Sequence, residues 1–126
     1  MISLLVYLLI VLTLYFLYKS HLIREIMFSV IYSFEVKPDC IESFITAWKK
    51  MTVLLYTREG SMGSRLHKVN ETKYVAYAQW PDRESWAKEK TNLPKSANEY
   101  NRVMSESCLD IKTEYAMEMV EDMFPK

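Results

Sequence analysis

Two segments of the chain alternate between apolar and polar positions with the period of a β-strand. In the first, residues 27–37, the side chains of one face are Phe28, Val30, Tyr32, Phe34 and Val36. Residues 111–120 alternate again near the end of the chain. Because successive side chains of a strand point to opposite faces, each segment predicts a strand with one face in a core.

Two more strands are predicted between them, joined as a hairpin. Residues 64–69 alternate in outline, and residues 74–80 are rich in the aromatic and branched side chains that suit a pleated surface. Asn70 supplies turn chemistry between the two, because its side chain can mimic a backbone turn. Pro81 ends the second strand, and Asp82 stands at the N-cap position of a helix.

Two helical segments complete the pattern. The first follows Pro38 and has one apolar face, which consists of Ile41, Phe44, Ile45, Trp48, Met51 and Leu55. Asp39 and Glu42 have the spacing of a capping box, and Gly60 can provide a left-handed C-terminal cap. The second segment begins after the Asp82 cap, continues beyond Trp86 and is interrupted at Pro94. The order β-α-β-β-α-β predicts an α+β protein with a ferredoxin-like split sandwich over residues 27–126.

Residues 1–26 form a separate hydrophobic segment. Residues 2–18 carry no charge, and Lys19, His21 and Arg24 follow directly. An uncharged stretch of this length predicts a membrane anchor, and the basic residues after it would keep the remainder of the chain cytoplasmic, on the inner face of the membrane. The alternative interpretation is a misassigned start, with Met27 as the initiator.

Composition narrows the classes of function. Acidic and basic residues balance, with 16 of each, so net charge gives no reason to expect nucleic acid as a partner. Two glycines are too few for a Gly-rich phosphate loop. Cys40 and Cys108 are far apart in sequence and predict free thiols. With His21 and His67 they show no ligand spacing, so no metal site is expected.

Short motifs across the chain resemble the antibiotic biosynthesis monooxygenase superfamily. The motifs are Val36-Lys37-Pro38, Phe44 with Trp48, the run from Glu59 to His67, Tyr77 with Trp80, and Trp86. The resemblance implies a dimeric α+β barrel in which two copies pair through their sheets. It also implies a monooxygenase that needs no cofactor and acts on a small aromatic or quinol-type molecule. The haem-degrading branch places a histidine on the helix after the Trp80 strand, and residues 86–90 contain none.

Cofactor-free oxygenation needs a pocket for a flat aromatic, a group that favours the substrate anion, and exclusion of water. We therefore assign candidate catalytic roles to His67, Trp80 and Tyr77, with His67 as the base and Tyr77, or alternatively Tyr74, as a donor to a phenolate. The candidate substrate-binding residues are Arg65, Trp86, Tyr100 and Asn101.

Each candidate also has a plainer interpretation. The two tryptophans and Tyr100 can be packing residues, His67 can be an exposed strand histidine, and Arg65 can belong to a surface ion pair. The alternative function is therefore a non-catalytic dimeric module for ligand binding or interaction, tethered to a membrane if residues 2–18 are an anchor. Homodimerisation is expected in both cases, because the predicted sheet has apolar side chains on its second face as well.

Overall fold

The structure, a computed structural model, describes residues 3–126; the side chains of residues 20–26 lie outside that description, and so does Ile2 of the predicted anchor. The helices are α1 (Leu4–Ile26), α2 (Ile41–Arg58), α3 (Arg83–Ala87) and α4 (Ser96–Ser107). The strands are β1 (Phe28–Val36), β2 (Ser64–Lys68), β3 (Lys73–Trp80) and β4 (Cys108–Glu118). The predicted β-α-β-β-α-β order is confirmed.

The four strands form one antiparallel sheet in the order β2-β3-β1-β4. The side chains that β1 and β3 bury on one face form the core with α2 and α4; they are Phe28, Val30, Phe34, Val36, Tyr74, Ala76, Ala78 and Trp80. Phe44 of α2 is fully buried, and its ring centroid lies 4.9 Å from that of Phe34. We call this side of the sheet the helix side, and the other side the open face.

Local signals account for most element boundaries. The Asp82 carboxylate accepts a hydrogen bond from the Ser85 backbone N–H at 2.7 Å, as its predicted N-cap role requires. Gly60 adopts the left-handed backbone, with φ of 83°, directly after α2. The Asn70 side chain accepts from the backbone N–H groups of Thr72 and Lys73, which closes the β2–β3 turn as predicted.

Two local predictions are wrong. Asp39 does not cap α2, because a 3₁₀ turn over Pro38–Cys40 starts the winding before the helix and no side chain caps α2. The alternation of β4 also does not keep one face. A register shift opposite Ile31 and Tyr32 leaves Ile111 on the helix side but turns Tyr115 and Met117 to the open face.

The amino-terminal helix has exposed apolar side chains from Leu4 to Tyr18. Within residues 3–126 no helix is long and apolar enough to cross a membrane. The predicted membrane anchor is therefore not supported.

Candidate functional site

A cavity of about 270 Å³ lies on the helix side, between the sheet and the helices α2 and α4. Its aromatic walls come from Tyr32, Phe34, Trp48 and Trp80. The other lining residues are Met51, Thr52, Leu55, Ser61, Ser64, Ala76, Ala78, Asn101, Met104, Ser105 and Ile111. Asn101, Ser105 and Ile111 are exposed and form the mouth, whereas Trp80 is only 3% exposed and lies deep.

The chemistry of this lining is apolar and neutral. Its polar groups are the hydroxyls of serine, threonine and tyrosine residues, the indole N–H groups of two tryptophans and the amide of Asn101. The described lining contains no Asp, Glu, His, Lys or Arg. Binding pockets for drug-sized molecules have volumes of about 300–1,000 Å³. The cavity therefore suits an uncharged aromatic molecule of about one or two rings, held by stacking and by a few neutral hydrogen bonds.

Trp80 is fixed from several directions. It is the last residue of β3, pairs with Phe28 across the sheet, and is followed by Pro81 and the Asp82 cap. The ammonium group of Lys90 lies 4.7 Å from the centroid of its ring, within the range of a cation–π interaction. The indole is therefore held as a firm wall of the cavity.

Trp86, a predicted substrate-binding residue, does not line the cavity. Its indole N–H donates to the Tyr32 hydroxyl at 2.7 Å, and its ring packs on Phe28 with centroids 5.5 Å apart. Burial raises the pKa of Tyr32 above its ordinary value, and the hydrogen bond from Trp86 works against that rise. Trp86 thus orients Tyr32, which forms part of the wall as a neutral phenol.

The predicted base lies elsewhere. His67, Arg65 and Tyr77 line a groove of about 690 Å³ on the open face, together with Gln79 and the C-terminal Phe124. The Tyr77 hydroxyl is 2.9 Å from the Ser29 hydroxyl and accepts from the Gln79 amide at 3.1 Å. The sheet therefore separates the predicted catalytic residues, with Trp80 on the helix side and His67 and Tyr77 on the open face.

The last two candidates, Tyr100 and Asn101, are neighbours on α4 but point apart. Asn101 reaches the mouth of the cavity. Tyr100 lies on the outer surface between α2 and α4, where the Lys50 ammonium is 5.5 Å from its ring centroid. The structure therefore brings Asn101 and Trp80 to one cavity and leaves Tyr100 outside it.

Sequence reasoning missed Tyr32, Ser61 and Ser105 as lining residues. Tyr32 was visible as the one hydroxyl in the apolar face of β1, and that position could have identified it. The serines carry no sequence signal, because only the packing of α4 and of the residues after Gly60 brings them to the cavity. No group of three or more His, Cys, Asp or Glu residues is arranged for a metal ion in the part of the chain that the structure describes.

Solved structures with the same fold come from several bacteria. A protein of unknown function from Bacteroides thetaiotaomicron is 20% identical, with a TM-score of 0.61 over 75% of this chain and 99% of that one. Rv0793 from Mycobacterium tuberculosis is 14% identical, with a TM-score of 0.62 over 78% of this chain and 99% of that one. A variant of SnoaB, a cofactor-independent oxygenase from Streptomyces nogalater, is 12% identical, with a TM-score of 0.61 over 77% and 96%.

At these identities the structural likeness shows the fold alone. No curated protein sequence matches the chain. Residues 27–89, however, match the sequence model of a family described as antibiotic biosynthesis monooxygenase. These residues run from the start of β1 to just beyond α3 and include Trp80 and the hairpin that carries it. The chain therefore belongs to the antibiotic biosynthesis monooxygenase family.

Proposed function

We propose that the protein is a monooxygenase that oxygenates a small, uncharged, electron-rich aromatic molecule of the quinol type, without a cofactor, in the helix-side cavity. The observation that carries the proposal is the combination of aromatic walls, neutral polar groups and a volume of about 270 Å³. Membership of the family supports the class of reaction. The name of SnoaB, a cofactor-independent oxygenase with the same fold, supports the absence of a cofactor by analogy.

The cavity residues have distinct roles in this proposal. Trp80 stacks against the flat substrate and excludes water from it. The Asn101 amide and the Ser105 hydroxyl lie at the mouth, where they can donate hydrogen bonds to a phenolic oxygen as it gains negative charge. When the substrate is buried in the cavity, its electron-rich ring meets dissolved oxygen in an apolar environment.

The reaction balances with the substrate as the only reductant. A 1,4-naphthoquinol gives up four electrons to one O₂, which forms a new C–O bond at the ring in place of a C–H bond and yields a hydroxynaphthoquinone and one water. Uncatalysed oxidation takes only two electrons, and it yields the plain quinone and hydrogen peroxide. The two routes therefore differ in the oxygen content of the organic product.

The test uses this difference. The full-length protein is incubated with 1,4-naphthoquinol under ¹⁸O₂, and the organic product is analysed by mass spectrometry. We expect one ¹⁸O atom in the product, and less labelled product with Trp80→Phe. Unlabelled quinone at the rate of the protein-free control would contradict the proposed reaction.

A second candidate is a non-catalytic module that binds the same kind of ligand. It is favoured by one observation, since the described cavity lining offers no carboxylate or imidazole to remove a proton from the substrate. Saturable binding of 1,4-naphthoquinone, without labelled product from the quinol, would favour this candidate.

We also propose a homodimer that forms through the open face. Large side chains of three strands lie there, on the side of the sheet opposite α2 and α4; they are Ile31, Val75, Tyr77, Tyr115 and Met117. Tyr115 is 65% exposed and pairs with Ile31 across β1 and β4. An apolar sheet face of this kind favours association with a second copy.

A further inference from the structure

One carboxylate, that of Glu59, is buried behind the cavity wall. Glu59 is 3% exposed, and its Oε1 atom accepts a hydrogen bond from the Asn92 backbone N–H at 2.6 Å. Its Oε2 atom is also buried and has no hydrogen-bond partner. An ionised group in such a place is costly unless another charge compensates it. A compensating positive charge is therefore expected nearby.

Lys90, two residues before Asn92, is close enough to Glu59 for their charges to interact, although the hydrogen bonds of its ammonium group go to backbone carbonyls and not to Glu59. Its ammonium group donates to the backbone carbonyls of Ser85, Trp86 and Lys88, at 3.1, 2.7 and 2.8 Å, and lies 4.7 Å from the centre of the Trp80 ring. Burial lowers the pKa of Lys90, the negative charge of Glu59 raises it, and the positive charge of Lys88 lowers it further. Glu59 thus favours the protonated form of Lys90 against the indole.

Glu59 and Lys90 both lie next to residues that line the cavity. Leu55 and Ser61, on either side of Glu59 in the chain, line the cavity, as does Trp80, whereas Glu59 and Lys90 do not. Since neither charged group is part of the lining, the two act on a bound molecule only through the wall they support. The segment from Lys88 to Lys95 contains no helix or strand, so its position depends on contacts such as these.

We propose that Glu59 is a positioning residue for Trp80: through the charge of Lys90 and the backbone of Asn92, it fixes the indole in the cavity wall and so sets the affinity of the site for its aromatic ligand. The inference rests on the proposed function for the kind of ligand, but it requires only that the ligand binds. Glu59 therefore contributes to the affinity of the site, although its side chain does not contact the substrate.

The first test observes Trp80 without any ligand or reaction. Heteronuclear NMR of ¹⁵N-labelled full-length protein gives one indole N–H signal for each of the three tryptophans, and Trp80→Phe identifies the signal of Trp80. We expect this signal to shift as Lys90 loses its proton at alkaline pH. Glu59→Gln keeps an acceptor for Asn92 but removes the charge, so the midpoint should move to lower pH. Lys90→Met should abolish the transition.

The matched controls are Glu71→Gln and Lys88→Met. Glu71 is an exposed carboxylate that pairs with Lys68, and Lys88 is an exposed lysine in the same segment as Lys90. Glu71→Gln should leave the midpoint unchanged, and Lys88→Met should raise it slightly, because it removes a repelling charge. A Trp80 signal that titrates identically in the wild type and in Glu59→Gln would overturn the inference. If Glu59→Gln fails to fold, an unaltered transition in Lys90→Met has the same meaning.

The second test measures the dissociation constant of 1,4-naphthoquinone by calorimetry at neutral pH. We expect Glu59→Gln and Lys90→Met to weaken binding by about tenfold, because a wall displaced by a fraction of an ångström loses much of its effect. Binding within twofold of the wild type in both folded variants would contradict the proposed role. Neither test depends on oxygenation, so failure of the ¹⁸O experiment alone would leave this inference standing.

Discussion

Trp80 and His67 lie on opposite faces of the same sheet, although a single hairpin joins their strands. His67 pairs with Val75 on β3, and Val75 is separated from Trp80 by an odd number of positions, so the two point to different sides. Trp80 belongs to the cavity and His67 to the open groove. A molecule in the cavity therefore cannot reach the imidazole.

This relationship predicts different effects of two substitutions on ligand binding. Trp80→Ala should weaken 1,4-naphthoquinone binding by about tenfold or more, because stacking against an aromatic side chain is worth about 1 kcal/mol beyond area burial and a large buried surface is lost as well. His67→Ala should change the dissociation constant by less than twofold. Calorimetry on both variants checks this, and the reverse pattern would place the ligand on the open face.

Phe44 should be a major source of stability for the core. It is fully buried, and its ring packs against those of Phe34 and Tyr74 at centroid distances of 4.9 and 6.0 Å. Phe44→Ala should lower the free energy of unfolding by about 3 to 5 kcal/mol, because it removes a large apolar surface and leaves a cavity. Urea unfolding followed by circular dichroism measures this. A loss below 1 kcal/mol would mean that Phe44 lies outside the cooperative core.

The order of the elements could be predicted from sequence because it depends on local patterns. The alternation of β1, the apolar stripe of α2 and the caps at Asp82 and Gly60 each act over a few residues. The face reversal in β4 could not be predicted, since it arises from a register shift against Ile31 on another strand.

The same reasoning explains the outcome for the site. Trp80 and Asn101 are a strand end and a helix face that meet only in the folded chain. Trp80 belongs to a motif of the family resemblance, whereas Asn101 was a candidate only as a residue of the last helix that could close the pocket. Glu59 belongs to the motif from Glu59 to His67, but nothing local in the sequence indicates that its carboxylate is buried. The backbone N–H that binds this carboxylate belongs to Asn92, which is far from Glu59 in sequence.

The cap at Asp82 predicts a dependence of stability on pH. The backbone hydrogen bond from Ser85 holds the pKa of Asp82 below its ordinary value of 3.8. A carboxyl group with a lowered pKa in the folded state contributes stability above that ordinary value, and the contribution is lost as the pH falls through the folded pKa. Stability of the wild type should therefore drop more steeply below about pH 4 than that of Asp82→Asn, which keeps a cap without the charge.

Thermal unfolding between pH 2.5 and 7 measures this difference for the two proteins. Glu84→Gln, which alters an exposed carboxyl on the same short helix, is the matched control and should follow the wild-type pH dependence more closely. Parallel curves of melting temperature against pH for the wild type and Asp82→Asn would show that the ionised carboxylate of Asp82 makes no stabilising interaction in the folded protein.

Cys108 should be almost unreactive in the folded protein. It is a free thiol in the core beside Val36 and Phe44, and burial raises its pKa to about 11 from 9.0. Since the thiolate is the reactive form, the rise alone lowers the reactive fraction at neutral pH by about a hundredfold. In Cys40→Ser, alkylation of Cys108 by iodoacetamide, followed by mass spectrometry, should be at least this much slower without urea than with it. Equal rates would show that the start of β4 is open to solvent.

The open face predicts a homodimer that one charge can break. Tyr115 and Ile31 are opposite each other near the middle of this face, and Tyr115 is 65% exposed in the single chain. Burial of such a pair against a second copy would remove apolar surface from water at about 25 cal/mol per Å², and a buried unpaired carboxylate would oppose it by several kcal/mol. Size-exclusion chromatography with light scattering on the full-length protein should therefore give a dimer for the wild type and a monomer for Tyr115→Glu.

Tyr56→Glu, at an exposed tyrosine of α2 on the helix side, is the matched control and should remain dimeric. A wild-type monomer, or a dimer that Tyr115→Glu leaves intact and Tyr56→Glu breaks, would exclude association through the open face.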